Sequence, residues 1–206
     1  MGRGAFRTAV RRTPLRRCRD ALRDQRGQTP IDLLIEHGVA DLSLEKVARR
    51  AGVGKTTIYR RFPDKSALLL AAVSGAQAVD DERLLDWPDA ATMLASWALH
   101  LSDPRNRRLL RRLFASIDDL PELLPAYRAA ESPRRQHAER EALRRAQAVG
   151  QLPEDADIDA IADILAGAIL QHLTTHPDDE SAARIDEYLT RVLTQVGYTK
   201  PDRNPS

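Results

Sequence analysis

Ala48, Gly52 and Ile58 constrain this 206-residue chain more than any other positions. Ala48 is small where two helices must cross closely, Gly52 can adopt the positive φ of a tight turn, and Ile58 can plug the core under the preceding helix. Leu44, Val47 and Val53 supply the remaining apolar positions at the right spacing. Together they predict a helix-turn-helix over residues 43–62, with Ser43 capping its first helix and Gly54 opening its second.

The periodicity elsewhere is helical too. Thr29-Pro30 reads as an N-cap and first helical position, followed by Ile31, Leu34 and Ile35 on one stripe and a terminating Gly38. Asp64 caps a further helix with Ala67, Leu68, Ala71 and Ala72 inward. Met93, Leu94, Trp97 and Leu101 mark the next, and Leu109, Leu110, Leu113 and Phe114 the one after. The Arg/Glu/Ala-rich stretch 121–150, with Ala138, Ala142 and Ala146, predicts a solvated surface helix. Residues 158–173 are apolar almost all round and predict a helix buried on more than one side; Ile185, Leu189, Val192, Leu193 and Val196 form a stripe able to close on it. With only 4% aromatic residues and 12 prolines, a β-sandwich is disfavoured. The expected fold is all-α: an N-terminal helix-turn-helix head of three or four helices and a C-terminal helical domain. Three segments follow: an Arg-rich arm (1–28), a helix-turn-helix head (29–79) and a helical body (80–206).

Charge divides along the same line. Residues 1–79 carry 16 Lys/Arg against 7 Asp/Glu, whereas residues 80–206 carry 16 against 23. A basic head suits a polyanion and an acidic body repels it. Cys18 is the sole cysteine, so neither an internal disulfide nor a thiolate metal cluster can form. No apolar run reaches the ~20 residues of a bilayer span and no secretory signal is visible, so a cytoplasmic protein without a membrane partner is expected.

In the helix-turn-helix the outward residues carry the chemistry. Lys55, Thr56, Thr57, Tyr59 and Arg60 would line a short helix able to enter the major groove, where hydroxyls, methyls and cations suit base edges and phosphates. Ser43 and Lys65, near the starts of flanking helices, are placed to clamp phosphate, and Gly54 completes the candidate DNA-contacting set. A competing reading occupies the same residues: Gly52-Val-Gly-Lys-Thr-Thr57 is similar to a phosphate-binding loop of a nucleotide hydrolase, although Glu45–Arg50 has helical spacing rather than the required strand and Arg49 stands where glycine is needed. A helical interaction protein is a third reading. No nucleophile–base constellation is visible, so no enzyme is expected. His100, His137, His172 and His176 show no ligand spacing, and neither a metal nor a cofactor is expected. Trp97, Phe114 and Tyr127 are candidates for lining an apolar effector cavity.

These residues resemble the TetR family of bacterial repressors. The likeness rests on Glu36-His37-Gly38, Ser43, Ala51-Gly52-Val53, Thr57-Ile58-Tyr59 and Phe62-Pro63-Asp64-Lys65, and covers about 50 residues from Pro30 to Val79. It implies a four-helix head and a five-to-six-helix domain that binds a small-molecule effector and dimerises through its last two helices. Ile161, Leu165, Ile169, Ile185, Leu189 and Val192 are the dimer-interface candidates on that basis. The implied function is a ligand-responsive regulator, most simply a repressor, that binds a palindromic site on double-stranded DNA as a homodimer.

Overall fold

The computed structural model describes residues 30–77, 87–130 and 133–200. Among them are ten α-helices and no strand. The Arg-rich arm, Thr29 and the start of the body at residues 80–86 lie outside the described residues. The helices are α1 (Pro30–His37), α2 (Leu44–Arg50), α3 (Lys55–Arg61), α4 (Lys65–Gln77), α5 (Ala90–Leu101), α6 (Pro104–Ala115), α7 (Leu123–Ala130), α8 (Pro133–Ala148), α9 (Ile158–Thr175) and α10 (Ala182–Gln195).

Local chemistry sets most of the boundaries. Ser43, Asp89, Asp103, Asp157 and Ser181 each accept a backbone N–H from the first turn of the helix they precede. Asp64 does the same for Ala67 at 2.8 Å. Such caps satisfy donors that the helix itself cannot. Pro104 occupies the start of α6, where its missing N–H costs nothing.

Two apolar cores result. The head core joins Ile31, Leu34, Val47, Ile58, Leu68 and Val73 to Leu109, Leu113, Leu120, Leu123 and Tyr127, so it draws on α6 and α7 as well as on α1–α4. The body core gathers α5, α8, α9 and α10 around Met93, Leu94, Trp97, Leu143, Leu165 and Leu189. The two cores therefore do not divide at residue 80, because α6 contributes to one and Leu110 and Phe114 pack against the other.

Three details depart from the sequence reading. The inward face of α4 is Leu68, Leu69 and Val73, with Ala71 exposed: the larger side chains displace alanine from the core. The stretch 121–150 is two helices, and Ala142, Leu143 and Ala146 of α8 are buried, so its small residues mark close packing rather than a solvated face. Helix α9 is not buried all round, since Ile164 is 45% exposed and Ala160, Gly167 and Gln171 face solvent beside it.

Arginines fix α6 to the end of α9. Arg107 is 0% exposed and donates to the carbonyls of Leu101, His172 and His176 at 3.4, 3.4 and 3.2 Å. Arg111 donates to the carbonyl of Leu173 and, with Arg108, to Asp178 in the α9–α10 loop. Cations at a helix C-terminus complement the exposed carbonyls and the dipole. Replacing Arg107 by Met takes the side-chain donor from the Leu101 and His176 carbonyls and from His172 Nδ1, and is expected to cost about 2–4 kcal/mol. The exposed Arg108→Ala should cost under ~1 kcal/mol. Urea unfolding of both variants checks the contrast.

Candidate DNA-binding surface and effector cavity

The helix-turn-helix forms by the sterics read from its sequence. Helix α2 ends with Ala51 N–H bonded to Val47 O, Gly52 takes φ +64°, and Val53 N–H reaches back to Ala48 O at 3.0 Å. That last bond, across the glycine, reverses the chain within three residues. Gly54 then precedes α3 in an extended conformation, and Thr57 and Ile58 N–H groups bond to its carbonyl. Ala48 is 1% and Ile58 0% exposed, so the two helices meet at the residues expected.

With Ile58 pointing inward, the other side of α3 must face out. Gly54, Lys55, Thr56, Tyr59 and Arg60 are exposed and Thr57 is half-buried. Ser43, half-buried, uses its oxygen to accept from Lys46 N–H at 3.2 Å, which leaves its hydroxyl proton able to donate. Lys65 is half-buried and donates to the Val39 carbonyl at 3.1 Å, tying the start of α4 to the turn after α1. Arg50 makes a bidentate pair with Glu36 at 2.7 and 2.8 Å, locking α2 to α1. The Tyr59 hydroxyl donates to the Glu45 carboxylate. Sequence reading missed Glu45; its register, facing α3 across the turn, is set only by the tertiary fold. That bond is the first cause that holds Glu45 below the usual carboxylate range, aided by its own backbone N–H, the Ser43 hydroxyl and the Lys55 charge. It also raises the Tyr59 phenol above its ordinary value.

The phosphate-loop reading is corrected here. Gly52–Thr57 spans the end of one helix and the first turn of another, and the residues directly before it are helix α2 rather than a strand. A nucleotide cradle needs that strand to aim its glycines.

In the body, a cavity of about 370 Å³ lies between α5, α6, α7, α8 and α9. Trp97, Phe114 and Tyr127 all line it, together with Leu110 and Ile169, while Arg128, Gln136, Glu139, Arg140 and Asp163 supply polar groups. The walls thus offer an apolar bed with charges of both signs around it.

Four of the six dimer-interface candidates are buried within one chain. Ile161, Leu165, Ile185 and Leu189 are at most 3% exposed within a single chain, where they form the body core with α5. Val192 packs on that core and Ile169 lines the cavity. A single chain thus uses four of the six in its own core, while Ile169 and Val192 stay half-buried. The histidines also need correction: His172 and His176 are four apart, and with Glu180 their ligand atoms lie within 4.8 Å of one another. A guanidinium can only donate, so Arg107, 3.3 Å from His172 Nδ1, takes that lone pair and fixes the proton on Nε2. Burial, His176 and Arg107 lower the His172 pKa to about 4, which keeps the ring neutral. Glu180 is paired with Arg184 at 2.9 Å. A cation entering this group would meet a buried arginine, so the cluster serves to hold the end of α9.

Comparison with known proteins then decides the family. Residues 31–72 match the model for bacterial regulatory proteins of the tetR family, and residues 87–192 match the tetracyclin repressor-like C-terminal domain. The chain belongs to the TetR family of transcriptional regulators. It is 25% identical over 175 residues to the uncharacterized HTH-type transcriptional regulator YdeS of Bacillus subtilis, covering 82% of this chain and 86% of that protein. Among solved structures, Salmonella enterica GusR superimposes with a TM-score of 0.65 at 18% identity, covering 91% of this chain and 97% of that one. SmeT, solved as a complex with triclosan, gives 0.60 at 25% identity and 95% and 98% coverage. This TetR-family chain is therefore a DNA-binding transcriptional regulator rather than an enzyme. No helix among its described residues is long and apolar enough to cross a membrane.

The head depends on the turn at residue 52. An added Cβ there meets nothing within 4 Å, so Gly52→Ala isolates the backbone cost of a positive φ. The expected loss is about 1–2 kcal/mol. It should appear as a lower thermal midpoint, with DNA affinity retained at temperatures where the head stays folded.

Proposed function

We propose that the chain is a cytoplasmic, ligand-responsive repressor that binds a near-palindromic operator as a homodimer. Two copies would hold their α3 helices about 34 Å apart, one duplex turn, so that each enters a successive major groove. Lys55, Thr56, Thr57, Tyr59 and Arg60 would contact bases and phosphates, with Ser43, Gly54 and Lys65 positioning the head on the backbone. The segments keep their assigned roles: residues 29–79 for DNA, residues 80–206 for effector and partner. The dimer seam would use the outer stripe of α9, where Ala160, Ile164, Gly167 and Gln171 recur at helical spacing and are exposed in the single chain. Small residues there allow close approach of a second copy, and Ile164 supplies apolar area.

The single observation carrying ligand control is the placement of α6. Leu110 and Phe114 on this helix line the 370 Å³ cavity. The same helix holds the head: Arg105 pairs with Asp32 at 2.9 Å, and Arg112 donates to the carbonyls of Ile35 and Glu36 at 3.0 and 3.5 Å. A molecule that fits only one position of α6 would therefore bias the angle of α1 and the head, which is all that release from DNA requires. The effector fitting these walls is a small molecule with an aromatic or aliphatic body resting on Trp97, Phe114 and Tyr127 and a hydrogen-bonding end near the polar side. Triclosan, present in the SmeT structure, has that character.

Selection of duplexes from a random pool by the purified protein, followed by affinity measurement across salt concentrations, tests the reading. An inverted-repeat site is expected, with log affinity falling linearly against log salt. Tyr59→Ala or Lys55→Ala should weaken binding to the selected site by roughly tenfold or more. Sequence-indifferent binding, or none at moderate salt, would contradict it.

A further inference from the structure

Among the side chains proposed for DNA contact stands an acid, Glu45. Glu45 sits in the first turn of α2, and its carboxylate receives the Tyr59 hydroxyl. The Ser43 hydroxyl and the Lys55 ammonium act on the same carboxylate. Of the groups proposed for DNA contact, Tyr59 thus gives its hydroxyl to an anion belonging to the chain itself, one that also feels Ser43 and Lys55. A carboxylate and a phosphate present the same kind of acceptor to such donors. A helix N-terminus favours either one.

We propose that Glu45 is an intramolecular stand-in for a DNA phosphate: it occupies the Tyr59 hydroxyl of the free head and must yield it when the duplex docks. The inference rests on the DNA-binding reading of the head. Its consequence is that Glu45 weakens every DNA complex in two ways. Tyr59 must break its bond to Glu45 before reaching a phosphate oxygen, and the carboxylate then remains beside the polyanion, where like charges repel. The penalty falls on positioning contacts, so it applies to any duplex. Tight binding is thereby reserved for sites whose base contacts can offset it. Glu45 in this sense lowers the affinity of the head for every duplex and so sets a threshold for binding, while the ratio between two sites stays the same.

The opposite role for the same bond would be to hold Tyr59 ready for DNA. Two substitutions separate the roles. Glu45→Gln removes the charge but keeps an oxygen that can accept from Tyr59, whereas Glu45→Ala removes both. Under the stand-in role both variants bind more tightly than the parent chain to a selected operator duplex and to an unrelated duplex, by roughly three- to tenfold at moderate salt. Their log affinity against log salt should also steepen, by up to about one unit, as one more phosphate is neutralised. In a Tyr59→Phe background the gain from Glu45→Gln should shrink, since no hydroxyl is left to release. Under a positioning role Glu45→Gln matches the parent and Glu45→Ala weakens binding; that pattern, or unchanged affinity in both variants, overturns the inference while leaving the regulator reading intact. A parent chain that binds neither duplex overturns both.

Discussion

Helix α6 is the part that the rest of the structure cannot do without, because it is shared. Its Leu109 and Leu113 complete the head core, while Leu110 and Phe114 press against the body core. Buried Arg107 secures it to the carbonyl end of α9, and Arg105 and Arg112 secure α1 to it. Desolvating a guanidinium is expensive unless its donors find acceptors, and a helix C-terminus is one of the few places where several carbonyls lie unused. The fold thus fixes α6 by a network that is costly to break at any one point. A displacement of α6 is transmitted to the head because both cores are close-packed and have little room to absorb it.

What could be read from the sequence was governed by local sterics and local hydrogen bonding. Gly52 and Ala48 specify the turn almost alone, and the caps at Ser43 and Asp64 need only the residues beside them. Trp97, Phe114 and Tyr127, chosen as large aromatic residues of the body, do come together around one cavity. What could not be read depends on which apolar face wins a partner. The stripes on α9 and α10 have the same pattern whether they face a second copy or α5 of their own chain, and periodicity does not distinguish the two. Ile161, Leu165, Ile185 and Leu189 are consumed internally, whereas the less apolar stripe containing Ala160 and Gly167 is left outside.

Charged residues were the least legible. Arg107 has the composition of a solvated helix face, with arginines at 105, 108, 111 and 112 around it, yet it alone is fully buried. Only the arrival of α9, some 65 residues later, creates the acceptors that make its burial tolerable. Glu45 belongs to the same class: its partner on α3 is 14 residues away and is reached only once the chain has turned at Gly52. Ion pairs and hydrogen bonds between separate elements follow from the tertiary arrangement, so they carry no periodic signature in the sequence.

DNA recognition by the head depends on the orientation of α3, a seven-residue helix whose buried side is Ile58 and whose open side is hydroxyls and cations. Its most direct test is methylation interference on a selected duplex, since dimethyl sulfate marks guanine N7 on the major-groove edge. Binding should be lost when guanines are methylated in two clusters about ten base pairs apart. Full binding to duplexes methylated at N7 throughout the site would contradict it.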